Sequence, residues 1–333
     1  MLRRLIAAIM MAMMGALPHG GMAQDLVRIA SPSLSLPHGA LAMALVDSGI
    51  FENNDIGLLL RDTHGSSSEC LRALLEQEVE ICEVSTFSGL DAIAAGGDLQ
   101  VVATLTGPIS EIVYATKAVE ALGIGAKPPL ELRLDALEQA RIATTAKGTT
   151  HYQVLTTLLT TEGRKIDDLQ MSAYDSPLAM AAALRTGEVD AIVWTTGELD
   201  GLVAEGVALP WISLTRGDNM PMERLPFVSA FARRGWIADN PSVVLRVHKS
   251  YARANRLLRI DPSAAARLRA ELAPDYEWHL WKARFEIFRN AYLRHAATSE
   301  WNWQQLVAMR QAATGRDYAA ARFDRIVIPA ARR

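Results

Sequence analysis

The sequence has 333 residues, which is enough for one large domain or two ordinary ones. Half of its residues are hydrophobic and 21% are charged, a composition typical of soluble globular proteins. The formal charge of −3 becomes −5 if the two arginines of an N-terminal signal are removed, so the balance argues against a nucleic-acid-binding surface.

The N-terminus has the pattern of a secretory signal. Arg3 and Arg4 form a positive region, and residues 5–17 are an apolar segment too short to span a bilayer. Gly21 and Ala23 are small residues at the −3 and −1 positions of a cleavage site. We therefore expect residues 1–23 to be a signal peptide and the mature chain to be soluble in a bacterial periplasm.

From residue 26 onward, short apolar strands alternate with helical segments. Strands are predicted at 26–31, 55–61, 80–85 and 99–106, with helices at 40–51, 69–80 and 86–97 between them. This alternation predicts a parallel sheet with right-handed crossovers.

A Gly/Pro-rich loop at 123–129 separates this unit from a second one. Strands are predicted at 140–145, 169–174, 189–195 and 209–214, again with helices between them. An extended segment at 225–237 and a helical C-terminus follow. Four tryptophans of that C-terminus could form an aromatic ligand box, but we favour burial in a helical flank: Trp278, Trp281, Trp301 and Trp303.

Small polar residues follow four of the predicted strands. Ligands of open α/β sheets bind at the carboxyl ends of the strands, where helix N-termini present free N–H groups. Helix capping is the competing explanation for any one of these turns, because Ser and Thr are preferred caps. The turns contain Ser31, Ser33, Ser35 and His38; His64 to Ser68; Ser85, Thr86 and Ser88; and Ala146 to His151.

Gly148, Thr149, Thr150 and His151 stand between a strand and a helix, as in a phosphate-binding turn. Neither the P-loop pattern nor the dinucleotide-binding glycine pattern is present. Further along, Trp194 and Thr195 end another strand. Trp194 is either a buried core residue or a wall of a ligand cleft, and the sequence favours neither.

Catalytic and metal motifs are weak. The sequence contains neither G-x-S-x-G nor H-E-x-x-H, and its seven histidines lack the spacing of metal ligands. A Ser/His/Asp catalytic set brought together by folding stays an open alternative.

Cys70 and Cys82 are the only cysteines. We expect two buried thiols, because a residue near the start of a helix and one in the next strand tend to lie at opposite edges of a sheet.

Three blocks of this sequence resemble the type II periplasmic solute-binding proteins of ABC importers, in the branch that binds sulfonates, taurine, nitrate and thiamine-pyrimidine precursors. The blocks are GSSSECLRALLEQEVEICEVSTFSGLDAIAAGGDLQVVATL, IATTAKGTTHYQVLTTLL and AMAAALRTGEVDAIVW. The resemblance implies two lobes, each a mostly parallel sheet flanked by helices, with a helical C-terminal extension. It implies a first lobe of residues 24–113 and 228–333 and a second of 114–227. The crossings would be at Ile112–Thr116 and about Leu225–Phe231.

The resemblance also implies ligand contacts in the cleft between the lobes. These fall on Ser33, His38, His64, Ser66, Ser85 and Thr86 in the first lobe, and on Thr149, Thr150, His151, Trp194 and Thr195 in the second. The sequence departs from a sulfonate-binding pattern because it shows no clear arginine clamp. Arg61 and Arg216 are the nearest candidates, so carboxylates and neutral heterocycles stay open.

The predicted function is capture of a small polar or anionic organic solute and its delivery to an ABC transporter permease. We expect a monomer that has no catalytic residues, metal or cofactor, binds no nucleic acid, and meets the membrane only through the permease. The alternatives are an enzyme of the related pyrimidine-precursor synthase type, which the export signal argues against, and a sensor protein that presents a ligand to a membrane receptor.

Overall fold

The structure is a computed structural model that describes residues 24–333. The predicted signal peptide, residues 1–23, lies outside the described residues. None of the described helices combines the length and the apolar character needed to cross a membrane.

The first sheet has five strands in the order β2-β1-β3-β10-β4. Four of them run parallel and β10 runs antiparallel to both of its neighbours. Its strands are β1 (Asp25–Ser31), β2 (Ile56–Asp62), β3 (Ile81–Ser85), β4 (Leu99–Thr106) and β10 (Val228–Arg233). Helices α1 (Gly39–Val46), α2 (Gly49–Glu52), α3 (Ser67–Leu75) and α4 (Thr86–Ala94) connect the parallel strands.

The second sheet repeats this plan in the order β7-β6-β8-β5-β9, with β5 as its antiparallel strand. Its strands are β5 (Ser110–Ala115), β6 (Arg141–Thr144), β7 (Gln170–Ala173), β8 (Ala191–Thr195) and β9 (Ala208–Ser213). Its helices are α5 (Thr116–Leu122), α6 (Leu130–Glu138), α7 (Thr150–Thr161), α8 (Pro177–Thr186) and α9 (Asp200–Ala204). Two mostly parallel sheets flanked by helices confirm the predicted fold class.

The chain passes between the sheets twice. It leaves the first sheet after Thr106 and enters the second at Ser110, so the outward crossing precedes the Ile112–Thr116 segment on which the sequence placed it. Residues 110–113 accordingly belong to the second sheet. The return lies between Ser213 and Val228. Each antiparallel strand is the first one after a crossing, since the chain then enters its new sheet from the side of the other lobe.

The C-terminal segment is helical, as predicted, but it contacts both lobes. It comprises α10 (Arg234–Asp239), α11 (Pro241–Ile260), α12 (Ala264–Leu272), α13 (Trp278–Ala291), α14 (Glu300–Thr314) and α15 (Phe323–Ile326). Helix α11 packs on α1 and β4 in the first lobe, whereas α14 packs on α7 in the second. Residues 228–333 therefore do not belong to the first lobe alone.

Two of the four C-terminal tryptophans are core residues. Trp281 and Trp303 are buried, and their indole N–H groups donate to the carbonyls of Ala265 and Ala321, each at 2.7 Å. Trp278 and Trp301 are exposed. None of the four lines the cleft described below. The expected burial in a helical flank is confirmed for Trp281 and Trp303 and is wrong for Trp278 and Trp301.

Cys70 and Cys82 form a disulfide bond, with their Cα atoms 5.7 Å apart. The expectation of two separate thiols was wrong. A helix advances about 1.5 Å per residue and a strand about 3.3 Å. The five residues from Cys70 to the end of α3 at Leu75 therefore cover only a short distance along the helix axis, and the first residues of β3 cover the same distance. Cys82 consequently lies beside Cys70.

Candidate functional site

A cleft of about 1120 Å³ lies between the two lobes. Its walls are the loops after β1, β3, β6 and β8, the turn that opens α3, and the crossing residues Ile109, Ser110 and Phe227. The carboxyl ends of the parallel strands of both sheets thus face one space. This is where ligands of open α/β sheets bind.

Most of the predicted site residues of the first lobe line this cleft: Ser33, His38, Ser66 and Ser85. His64 does not, because it occupies a left-handed turn (φ 49°) with a side chain that is 89% exposed. Thr86 does not line the cleft either. It is buried at the start of α4, where its hydroxyl meets that of Ser229 on β10 at 2.8 Å. The sequence could not show which way these two turns direct their side chains.

His38 is held by a buried carboxylate that the sequence reasoning missed. Its Nδ1 lies 3.1 Å from Oε2 of Glu83, and both side chains are buried. Glu83 is on β3, in the sheet beneath the loop that carries His38. Since Nδ1 faces Glu83, the imidazole has a fixed orientation at the cleft edge.

All five predicted residues of the second lobe line the cleft: Thr149, Thr150, His151, Trp194 and Thr195. Thr149 precedes α7 in extended backbone, but its side chain makes no capping hydrogen bond. Its hydroxyl instead donates to the carbonyl of Ala146 at 2.7 Å and contacts the hydroxyl of Thr145. The first amides of α7 are consequently free of backbone and side-chain acceptors among residues 24–333. Free amides at a helix N-terminus favour a hydrogen-bond acceptor.

An aromatic stack forms part of the same wall. The rings of His151 and Trp194 are stacked, with centroids 4.3 Å apart and planes 27° apart. Burial lowers the pKa of His151 to about 4, so this imidazole is neutral at neutral pH. The indole N–H of Trp194 donates to Oε2 of Glu198 at 2.5 Å. Trp194 is therefore a cleft residue whose orientation is fixed by stacking on one face and by a hydrogen bond at its indole N–H.

Several polar atoms of the cleft are buried without a partner in the described part of the chain. They are Ser85 Oγ, Ser110 Oγ, His151 Nδ1 and Gln153 Oε1. A buried polar atom without a hydrogen bond costs about 1–3 kcal/mol. Four such atoms around one cleft indicate that a polar ligand or water completes their hydrogen bonds.

Charged groups of the cleft are largely paired with one another. Arg72 contacts Glu69, Glu76 and Glu78, and Asp91 accepts from Arg310 at 2.5 and 2.9 Å. Neither Arg61 nor Arg216, the arginines that the sequence offered as a clamp, lines the cleft.

The polar cleft residues that sequence reasoning missed include Ser110, Gln153, Asp91, Asp175 and Glu198. Gln153 on α7 donates to Asp91 on α4 at 3.2 Å, a hydrogen bond that joins the two lobes. Ser110 and Glu198 each follow the end of a strand or a crossing by a few residues, which is the one signal that could have identified them. Gln153 and Asp91 lie inside helices and carry no such signal.

Solved structures that are similar to this chain include periplasmic sulfonate- and nitrate-binding proteins. The putative sulfonate-binding protein SsuA of a sulfonate ABC transporter from Methylobacillus flagellatus KT has a TM-score of 0.70 at 14% identity, covering 92% of each chain. The alkanesulfonate-binding protein SsuA from Xanthomonas axonopodis pv. citri, bound to MOPS, has a TM-score of 0.66 at 18% identity, covering 93% of this chain and 98% of that one.

A more distant similarity is to the nitrate-binding protein NrtA from Synechocystis PCC 6803, with a TM-score of 0.55 at 13% identity, covering 77% of this chain and 69% of that one. No protein-family model and no curated protein matches the sequence. At these identities the likeness establishes the fold, and this chain has the two-lobe fold of the periplasmic binding proteins that its sequence resembles.

Proposed function

We propose that this protein is a periplasmic solute-binding protein, which captures a small polar organic solute between its lobes and delivers it to an ABC transporter permease. The observation that carries the proposal is the cleft itself. It lies between two lobes, is lined by helix N-termini and hydroxyls, and contains buried polar atoms without partners. Such a surface is suited to hold a ligand by hydrogen bonds.

The similar structures support this proposal. Two of them are named as sulfonate-binding or alkanesulfonate-binding proteins and one as a nitrate-binding protein. Their names place each in solute binding, and their fold supplies two lobes around a central site. Fold alone does not determine function, so the residues of this cleft carry the argument.

An enzymatic function has less support. His38 is paired with Glu83 and lies apart from the His151–Trp194 stack, and neither histidine has a hydrogen bond to a serine among the described residues. No group of three or more potential metal ligands occurs in residues 24–333. A ligand-presenting sensor would capture its solute in the same way. Only the identity of the protein partner, a receptor or a permease, distinguishes it from a transport protein. Finding an ATPase and a permease encoded beside this gene would favour transport.

Solute capture is tested on protein purified from the periplasm without denaturation. Native mass spectrometry should show a co-purified small molecule, and removing it should increase the radius of gyration in solution scattering as the lobes open. Adding it back should restore the compact form. A solute that binds at micromolar strength with no change in scattering would contradict the two-lobe capture mechanism.

Export is tested on the same material. Cleavage after Ala23, or one residue beyond it, gives a mature chain that begins at Gln24 or Asp25. Intact-mass analysis of the periplasmic protein measures this directly. An intact Met1 on the purified protein would contradict export through a cleaved signal.

A further inference from the structure

The cleft is poor in free positive charge and rich in carboxylates. Arg72 is the only arginine or lysine that lines it within residues 24–333, and its guanidinium is committed to neighbouring glutamates. Four carboxylates line the same space: Glu76, Asp91, Asp175 and Glu198. Glu76 is matched by Arg72 and Asp91 by Arg310. Asp175 and Glu198 are not in contact with a basic side chain of the described chain.

Glu198 is the more informative of these two, because it is partly buried beside the aromatic stack. Its Oε2 accepts from Trp194, but its Oε1 accepts no hydrogen bond from residues 24–333. Burial raises the pKa of Glu198, and the charge of Arg284 opposes that rise. The guanidinium of Arg284 nevertheless makes its contacts elsewhere: it lies 3.4 Å from Asp200 and donates to the hydroxyl of Tyr276 at 2.6 Å. A partly buried carboxylate with one oxygen free of protein donors is suited to pair with a cation brought by a ligand.

Gln153 gives an independent observation on the same wall. Its side chain is 4% exposed, and its amide nitrogen donates to Asp91 and to the carbonyl of Gly148 at 2.8 Å. Its Oε1 is left as a buried acceptor without a donor. His151, two residues earlier on α7, adds the face of a neutral imidazole stacked on Trp194. The wall therefore offers acceptors and an aromatic face.

We propose that this wall binds a protonated nitrogen group of the solute, an ammonium or amidinium, with Glu198 as its counter-ion and Trp194 beside it. The inference rests on the proposed function and specifies the charge of its ligand. An ammonium has three donors and no acceptor, which suits the acceptor atoms that this wall leaves free, Oε1 of Glu198 and Oε1 of Gln153. A cation also gains from the face of a tryptophan ring. A sulfonate or nitrate has only acceptors on its charged group and would be repelled by Glu198.

Three probes of similar shape and different charge test this directly: benzamidine, benzamide and benzenesulfonate. Calorimetric titration of the emptied protein should rank benzamidine above benzamide and benzamide above benzenesulfonate. Glu198→Gln should weaken benzamidine roughly 10- to 150-fold, the range for a hydrogen bond to a charged group, and change benzamide less than about threefold. Glu205→Gln is the matched control, because Glu205 is also a glutamate of the second lobe but does not line the cleft and is paired with Arg185. It should leave benzamidine within about twofold.

Thermal melts of both variants establish that they fold, and the co-purified solute provides a second measurement. That solute should contain a basic nitrogen. A protein that prefers benzenesulfonate, fails to bind benzamidine, or retains wild-type benzamidine affinity after Glu198→Gln overturns the inference. A co-purified solute without a basic nitrogen overturns it too, while solute capture itself stands. The proposal of solute capture is contradicted by a separate result, namely that no solute changes the solution scattering of the protein.

Discussion

The two walls of the cleft have the same architecture but differ in how their polar groups are used. In the first lobe, His38 is paired with Glu83, Ser66 caps α3 by accepting from the amide of Glu69, and a disulfide joins α3 to β3. In the second lobe, Thr149 leaves α7 uncapped, and Gln153 and His151 retain unpartnered atoms. Among the cleft-lining atoms of residues 24–333, the first wall leaves one buried polar atom without a partner, Ser85 Oγ, whereas the second leaves three: Ser110 Oγ, His151 Nδ1 and Gln153 Oε1. We infer that the first lobe mainly provides a rigid surface and the second mainly recognises the solute.

The sharpest test of the rigid first wall is the buried pair of His38 and Glu83. His38→Ala leaves a buried carboxylate without its partner, so we expect a loss of about 3–5 kcal/mol in the free energy of unfolding. Urea denaturation measures this loss. The double variant His38→Leu with Glu83→Met replaces both groups by apolar ones and should recover most of the stability. Equal stability of wild type and His38→Ala would show that the pair does not hold the first wall.

The second lobe has a buried carboxylate of a different kind, Glu111 on β5. Burial raises its pKa to about 7, although the backbone N–H of Gly197 donates to it at 2.6 Å and opposes that rise. Because the folded-state pKa exceeds the unfolded value of 4.5, the folded protein binds the proton more tightly. This stabilisation is complete below about pH 4.5 and is lost as the pH rises to about 7.

Glu111→Gln cannot titrate and still offers an acceptor to Gly197. Relative to this variant, wild type should lose about 3 kcal/mol of unfolding free energy between pH 4.5 and pH 8. Urea denaturation of both proteins across this range, in one buffer series, isolates the contribution of Glu111 from those of other groups, including its neighbours Asp200, Arg216 and Arg284. Parallel pH profiles for the two proteins would contradict a raised pKa.

The disulfide belongs to the first wall alone. Replacing Cys70 and Cys82 by alanine releases a cross-link between residues 12 apart, which should lower the free energy of unfolding by about 3 kcal/mol. Wild type in a reducing agent is the control and should lose a similar amount. We expect solute affinity to fall as well, since α3 begins at the cleft with Ser66 and Ser67. If oxidised wild type and the double variant had the same denaturation midpoint, the disulfide would not contribute to the rigidity of the first wall.

The smallest effects come from hydroxyls that occupy corresponding places in the two walls. Ser66→Ala removes a cap and should cost about 1 kcal/mol of stability with little change in solute affinity. Thr149→Ala with Thr150→Ala removes no capping hydrogen bond, so stability should change less, while affinity should fall roughly 5- to 150-fold, corresponding to two neutral hydrogen bonds. Thermal melts and calorimetric titration measure both quantities on each variant. The reverse result, with the threonines affecting stability and Ser66 affecting affinity, would overturn the division between the walls.

The sequence by itself determined the elements and much of the cleft. Periodic apolar strands and Gly- or Ser-bearing turns predicted two α/β units, and a strand end followed by hydroxyls correctly placed Ser33, Ser85 and Thr150 at the cleft. This works because the carboxyl ends of parallel strands must share one edge of a sheet. Which turn residues point inward was beyond the sequence, as His64 and Thr86 show.

Only the tertiary structure decided the relations between distant elements. It paired Cys70 with Cys82, because helix and strand advance at different rates along their axes, and it joined Gln153 to Asp91 across the two lobes. It also left Glu198, four residues after Trp194, without an ion pair to a basic side chain of residues 24–333. Pairings of this kind depend on how lobes and helices pack, and local propensities do not encode that packing. In this protein such pairings determine which charged groups of the cleft are neutralised.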